Sequence, residues 1–315
     1  MPAMSDAQSD APAASAAATI LSENRRGIAS MLVAMFGFIA NDACVKLAGE
    51  TLPLGMIIFV RGMIASVMLA ALAAAMRQVK PIPRSAWKPL GGRIVGEWFA
   101  TLLYLTALLA MPIANATAIL QAMPLVMTVI AAFLFKEKVG WRRWSAIACG
   151  FVGMLMVVQP GMEGFDANAL YAVAALGFIA LRDLSNRYIS RDVPTVMVTF
   201  ATMFAAMGMG AVMVLIDGFT RWPDAREIAI LSAAAAFLSL GYYFITDAMR
   251  TGELSVVALF RYSIIVWAFV LGYFIWGDIP GLLRLAGIVL IVSSGLFVIY
   301  RERVKMRKLQ AALKA

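Results

Sequence analysis

Five ionisable residues stand inside long apolar stretches: Asp42, Arg61, Glu97, Asp183 and Arg261. An ionised side chain at the centre of a membrane helix costs about 2.5–3.5 kcal/mol on insertion scales, so each needs a partner or a wet cavity. Arg261 falls near the middle of its stretch, where snorkelling to the headgroups is hardest. Its planar guanidinium suits a carboxylate or phosphate of a ligand, or an internal pair with Glu97. Glu97 is equally able to read the amine of a zwitterion or to carry a coupling proton. The chain has no histidine, so a buried carboxylate is the natural proton carrier. Arg61 fits a scaffold pair with Asp42 as well as it fits ligand contact. Asp42 and Lys46 stand four residues apart, as do Asp183 and Arg187, and each pair reads as a structural or gating salt bridge along one helix face. Trp98, Tyr104, Tyr242, Tyr243, Tyr262 and Trp267 lie near these charges. They would wall a cavity for a planar or cationic cargo, or pack between helices and anchor interfaces. Gln121 adds a polar contact.

Other chemistry is excluded. Without histidine there is no His-based metal site. Cys44 and Cys149 lie in apolar stretches without pairing or metal spacing and read as packing residues. No Walker motif, GxSxG elbow or CxxC cluster occurs, so no catalytic residue, cofactor or metal is expected.

These side chains must be held by membrane helices. Hydrophobic residues make up 62% of the 315, charged residues only 14%, and the mean hydropathy is +0.84. A soluble domain is nearer half apolar and a quarter charged. A span needs roughly 20 apolar residues, and the sequence predicts ten, at 27–47, 53–76, 89–110, 112–135, 141–159, 168–188, 194–216, 225–249, 253–276 and 280–300. The net charge of +9 resides in short loops between apolar blocks, a mark of membrane topology and not of nucleic-acid binding. With the N-terminus inside, 21 of the 27 basic residues fall on the cytoplasmic side, which predicts both termini there. Residues 1–24, rich in Ala, Ser, Asp and Pro, read as a disordered cytoplasmic tail, and 301–315 as a basic cytoplasmic tail lying against anionic lipid.

The spans repeat. Gly37-Phe38-Ile39-Ala40 recurs as Gly177-Phe178-Ile179-Ala180, and after a one-residue shift Asp42 matches Asp183, Lys46 matches Arg187, Pro53 matches Pro194 and Glu137 matches Asp278, all 141 apart. The chain therefore divides into five-helix halves, 25–160 and 161–300. An odd number of spans makes the second half enter from the opposite side. Inverted repeats of this kind suit alternating access around a midplane site.

Residues 27 to 300 resemble the drug/metabolite transporter superfamily, in particular its EamA-type ten-helix members. The likeness rests on Phe59-Val60-Arg61 and on Ala116-Thr117-Ala118-Ile119-Leu120-Gln121-Ala122-Met123-Pro124-Leu125. It continues through Leu134-Phe135-Lys136-Glu137, Gly150 and Gly153, and is echoed by Trp276-Gly277-Asp278, Gly287 and Gly295. The ninth helix departs from the pattern, with Ile265 where a proline aligned to Pro124 is expected. The opening of the chain looks like that of alphaproteobacterial members suspected of moving S-adenosylmethionine or riboflavin. The resemblance implies a substrate site between the halves, lined by the third, fourth, eighth and ninth helices. The expected protein is an all-α, multi-pass secondary transporter of the bacterial inner membrane. Its partners are lipid and a small organic metabolite, amphipathic or zwitterionic, such as an amino-acid-like or nucleoside-like compound. The alternative is an integral membrane enzyme acting on a lipid intermediate, which would need a cluster of acids or a nucleophile at one membrane face; the sequence holds none.

Overall fold

Prolines mark where helices begin. Pro53, Pro112 and Pro194 each sit in extended backbone just before a helix, and their carbonyls accept from Ile57, Ala116 and Val198 four residues on. A residue without an N–H costs nothing there, because the first N–H groups of a helix have no partner inside it. A computed structural model describes residues 10–134, 136, 140–160, 166–190, 192–219, 221–251 and 257–314. Its helices are α1 (Asp10–Ala48), α2 (Leu54–Ala75), α3 (Trp87–Ala110), α4 (Ile113–Leu120), α5 (Met123–Leu134), α6 (Trp141–Val158), α7 (Ala169–Arg187), α8 (Thr195–Asp217), α9 (Ala225–Thr251), α10 (Ser263–Trp276) and α11 (Leu282–Lys314). Short 3₁₀ turns, Arg84–Ala86 and Ala258–Tyr262, precede α3 and α10. Among the described residues no strand occurs.

Among the described residues, eight helical stretches are long and apolar enough to cross a membrane, and the shorter Phe260–Trp276 is apolar as well. One expectation needs correction, and one expected span carries a break. Residues 10–24, read above as disordered, continue α1 as helix, in keeping with the high helix propensity of their many alanines. The span expected at 112–135 is present as one apolar stretch, Ile113–Leu134, with a backbone break between α4 and α5. Pro124 cannot donate to the carbonyl of Leu120 and its ring crowds that group, so the backbone tightens into i→i+3 bonds at Gln121 and Ala122 before α5 starts.

The helices pack in pairs: α1 along α9, α3 along α7, α2 along α8, α6 along α11, and α4 against α10. In lipid there is little hydrophobic drive between helices, and close backbone approach supplies much of the association. Glycines make that approach. A Cβ on Gly153 would stand 2.7 Å from the Gly287 carbonyl oxygen, and one on Gly287 2.6 Å from that of Gly153. The α1–α9 and α3–α7 seams close the same way: a Cβ on Gly37 would meet Phe237 O at 2.9 Å, and one on Gly96 would meet Phe178 O at 2.9 Å.

At the start of α9, Asp224 and Glu227 form a reciprocal capping box, each accepting the other's backbone N–H at 2.8 Å. Glu227 also accepts from Arg221 at 2.6 and 2.8 Å and from Thr51 at 2.7 Å, tying the α1–α2 turn to α9. The hydrogen bonds to Glu227 hold the exposed Arg221 guanidinium above its ordinary pKa.

Candidate functional site

A cavity of about 400 Å³ lies among α1, α2, α3, α4, α7, α8, α9 and the turn leading into α10. Three carboxylates, Asp42, Glu97 and Asp183, and three guanidinium groups, Arg61, Arg182 and Arg261, line it and sum to zero formal charge. The pairing among them is uneven. Arg182 donates to Glu97 Oε2 at 3.2 Å and to its neighbour Asp183 Oδ1 at 2.9 Å, and Thr101 Oγ1 reaches Glu97 Oε1 at 3.5 Å. Asp42 is held by neutral donors, Tyr104 OH at 2.6 Å and Asn41 Nδ2 at 2.9 Å. Arg61 donates to Asn41 Oδ1 at 3.3 Å, so Asn41 relays between the two charges. Among the described residues no cationic nitrogen comes within 4.0 Å of Asp42, and Arg261 has neither a hydrogen bond nor an ion pair. Arg261 is exposed and lines the cavity.

Sixteen of the twenty-three lining residues fall into eight pairs 141 positions apart. Asn41 answers to Arg182, Asp42 to Asp183, Thr101 to Tyr242, Tyr104 to Ile245 and Leu120 to Arg261. The backbone breaks obey the same offset. Gln121 ends α4, and Tyr262, 141 residues later, ends the 3₁₀ turn before α10, although Ile265 replaces the proline. The Gln121 side chain is buried and lines the cavity, with its Nε2 lacking a partner among the described residues.

Of the residues singled out from sequence, the cavity collects Arg261, Glu97, Tyr104, Gln121, Asp42, Arg61 and Asp183. It leaves out Trp98, Tyr243, Tyr262 and Trp267. Tyr243 is 69% exposed on the outside of the bundle, edge-on to Phe244. Trp267 packs edge-to-face on Phe36, 5.3 Å between centroids, and Tyr262 is buried with its hydroxyl over Gly295. The aromatic part of the wall is therefore Phe38, Tyr104 and Tyr242.

The Asp42–Lys46 pair is not formed. Lys46 instead donates to the carbonyls of Leu108 and Met111 and lies 5.4 Å from the Trp276 ring centroid, whose Nε1 bonds Glu50 at 3.1 Å. The C-terminal carbonyls of α3 have no partner inside their helix and carry the negative end of its dipole, so they draw the ammonium away. Asp183 pairs with Arg182, and the side chain of Arg187 and all of Glu137 lie outside the described residues. An internal Glu97–Arg261 pair is likewise replaced, by Glu97–Arg182.

Sequence reading did not single out Arg182 or Asn41. The 141-residue offset, applied to Asp42 and Asp183, already aligned the residues just before them. The site also extends to the first, second, sixth and seventh spans.

Comparison with known proteins bears on what such a cavity serves. The model of the EamA-like transporter family matches the chain twice, over residues 25–159 and 167–300. The S-adenosylmethionine uptake transporter of Rickettsia conorii is 25% identical over 284 residues, covering 90% of this chain and 95% of its own. The pseudopaline exporter CntI of Pseudomonas aeruginosa is 27% identical over 279 residues, covering 86% and 94%. A solved crystal structure at 18% identity superposes with a TM-score of 0.61 over 88% of this chain and 98% of its own, a likeness of fold.

Proposed function

Since the chain belongs to the EamA-like transporter family, we propose that it is a secondary transporter of a small zwitterionic organic metabolite, working by alternating access. The family and its relatives are transporters, so the protein is a multi-pass membrane transporter and not an enzyme. The remainder of the reading is built on the cavity.

One observation carries it. Of the six charged lining residues, only Glu97, Asp183 and Arg182 form ion pairs among the described residues; Asn41 joins Asp42 to Arg61 without a direct ion pair, and Arg261 has no hydrogen bond or ion pair, which leaves Asp42 on the first half and Arg261 on the second to meet a ligand. A charge facing a membrane cavity without a contacting counter-ion is costly, and a ligand bearing an ammonium or sulfonium at one end and a carboxylate at the other would neutralise both. Arg261 offers a bidentate fork to the anionic end, and Asp42, fixed by Tyr104 and Asn41, accepts from the cationic end. S-adenosylmethionine, named for the Rickettsia relative, is a molecule of this kind.

Alternating access is supported by pseudo-symmetry. If α1–α6 and α7–α11 are inverted five-span repeats, α1–α9 and α3–α7 are one contact made twice, and α2–α8, α4–α10 and α6–α11 lie on the axis. The observed pairings are those. Counting α6 and the 3₁₀–α10 segment with the eight longer spans, and α4–α5 as one, gives ten crossings. The excess of basic residues in one set of loops supports a bacterial inner-membrane protein with both termini in the cytoplasm. Glu97, bound to Arg182, would be freed to take a proton when a ligand competes for that arginine.

The test is a thermal-shift screen of the purified protein in detergent against zwitterionic, anionic and cationic metabolites, repeated on Arg261→Ala and Asp42→Asn. A ligand at a hundred times its Kd stabilises the folded state by about 2.7 kcal/mol. A zwitterionic hit weakened by both substitutions supports the reading. Hits confined to purely anionic or purely cationic compounds, or indifferent to both substitutions, reject it. A hit then enters proteoliposome flux assays.

A further inference from the structure

The two halves differ in packing at one groove. Between α5, α6 and α7 lies a second cavity of about 310 Å³, lined only by apolar residues, among them Val126, Ile147, Phe151 and Gly177. The corresponding place in the other half is bounded by α10, α11 and α1. There the residues 141 positions from Gly177 and Val126 are Phe36 and Trp267, whose rings meet edge-to-face at 5.3 Å. The register of this comparison is fixed by contacts, because Gly37 against Phe237 and Gly96 against Phe178 are the same contact at the same offset. One half thus fills its groove with two aromatic side chains, and the other, with glycine and valine at those positions, leaves it open.

The void has room for about ten waters at about 30 Å³ each but offers them no polar partner, so it stays dry. Left empty, its lining would forfeit the dispersion contacts that the aromatic pair supplies in the other half. It is not sealed: Phe151 is 55% exposed, and Val126 and Ile147 are half-buried. The lining lies within α5, α6 and α7 and at the α4–α5 break, away from the membrane-facing ends, where the surrounding medium is lipid hydrocarbon. We infer that a phospholipid acyl chain occupies this groove in place of the missing aromatic pair. Since α5 belongs to the first family match and α7 to the second, the bound chain touches both halves. It contributes to the interface between the halves as a side chain would.

The experiment reconstitutes the full chain with a phospholipid carrying a photoactivatable diazirine in mid-acyl chain and maps adducts by peptide mass spectrometry. Adducts are expected on the α5 and α6 peptides that hold Val126 and Phe151. They are lost in Gly177→Phe, while labelling elsewhere on the bilayer-facing surface is unchanged. A Cβ at Gly177 meets nothing within 4 Å, so the new ring has space to enter the groove. The same variant should melt higher than wild type in lipid-depleted detergent. Groove labelling that is equal in wild type and variant would mean ordinary annular contact and overturn the inference. So would groove labelling by a water-soluble diazirine probe, which would mean a wet cleft. If Gly177→Phe does not fold, Gly177→Leu adds less bulk and carries the same comparison.

Discussion

Arg261 and Arg182 are the same side chain in the same cavity, yet their surroundings give them different work. Arg182 is committed to Glu97 and Asp183, whereas Arg261 makes no hydrogen bond or ion pair among the described residues. Hydrogen bonds to charged groups contribute about 1.5–3 kcal/mol each. Arg261→Ala should therefore weaken binding of a carboxylate ligand about tenfold to a hundredfold, and Arg261→Lys, which keeps the charge and loses the fork, by less. Titration calorimetry with a ligand from the screen checks both; an Arg261→Ala protein binding as tightly as wild type would remove Arg261 from the site. Lys46 lies away from the cavity and answers two carbonyls. Lys46→Met leaves them unsatisfied, and the expected loss is about 1–3 kcal/mol of stability with ligand affinity unchanged. A lowered thermal midpoint with an unaltered Kd is the signature.

At the scale of helices, the site depends on how near α3 can come to α7. Gly96 allows the approach, and Glu97 and Arg182 face each other beside it. Overpacking costs about 1–3 kcal/mol or more. Gly96→Leu should lower stability and also separate that ion pair, so binding falls with it. Gly153→Leu, at the distant α6–α11 seam, should lower stability by a similar amount and leave binding intact. Melting curves together with ligand titrations distinguish the two; equal effects on binding would show that the seams are not independent. The identical Gly-Phe-Ile-Ala stretches align at an offset of 140, whereas the α1–α9 and α3–α7 contacts align Gly37 with Phe178, at 141. Spatial equivalence follows the backbone contact and not the short run of identity.

For the molecule as a whole, the distribution of basic residues predicts cytoplasmic termini. A C-terminal fluorescent-protein fusion should fluoresce and a C-terminal alkaline phosphatase fusion should be inactive; the reverse pattern would invert the topology. What the sequence determined alone was the class of protein, the approximate spans and the duplication, because apolar length, loop charge and residue offset are properties of a chain read in one dimension. It also singled out Asp42, Glu97, Asp183 and Arg261, since an ionisable group in an apolar stretch stands out wherever the chain goes. Tertiary structure decided which charge meets which. Lys46 turned to the end of α3, Glu97 took Arg182 in place of Arg261, and four of the expected aromatics fell outside the cavity. The direction of a side chain from a helix, and the identity of the helix beside it, depend on rotations and close approaches set by contacts from tens of residues to about two hundred apart, which no local spacing encodes.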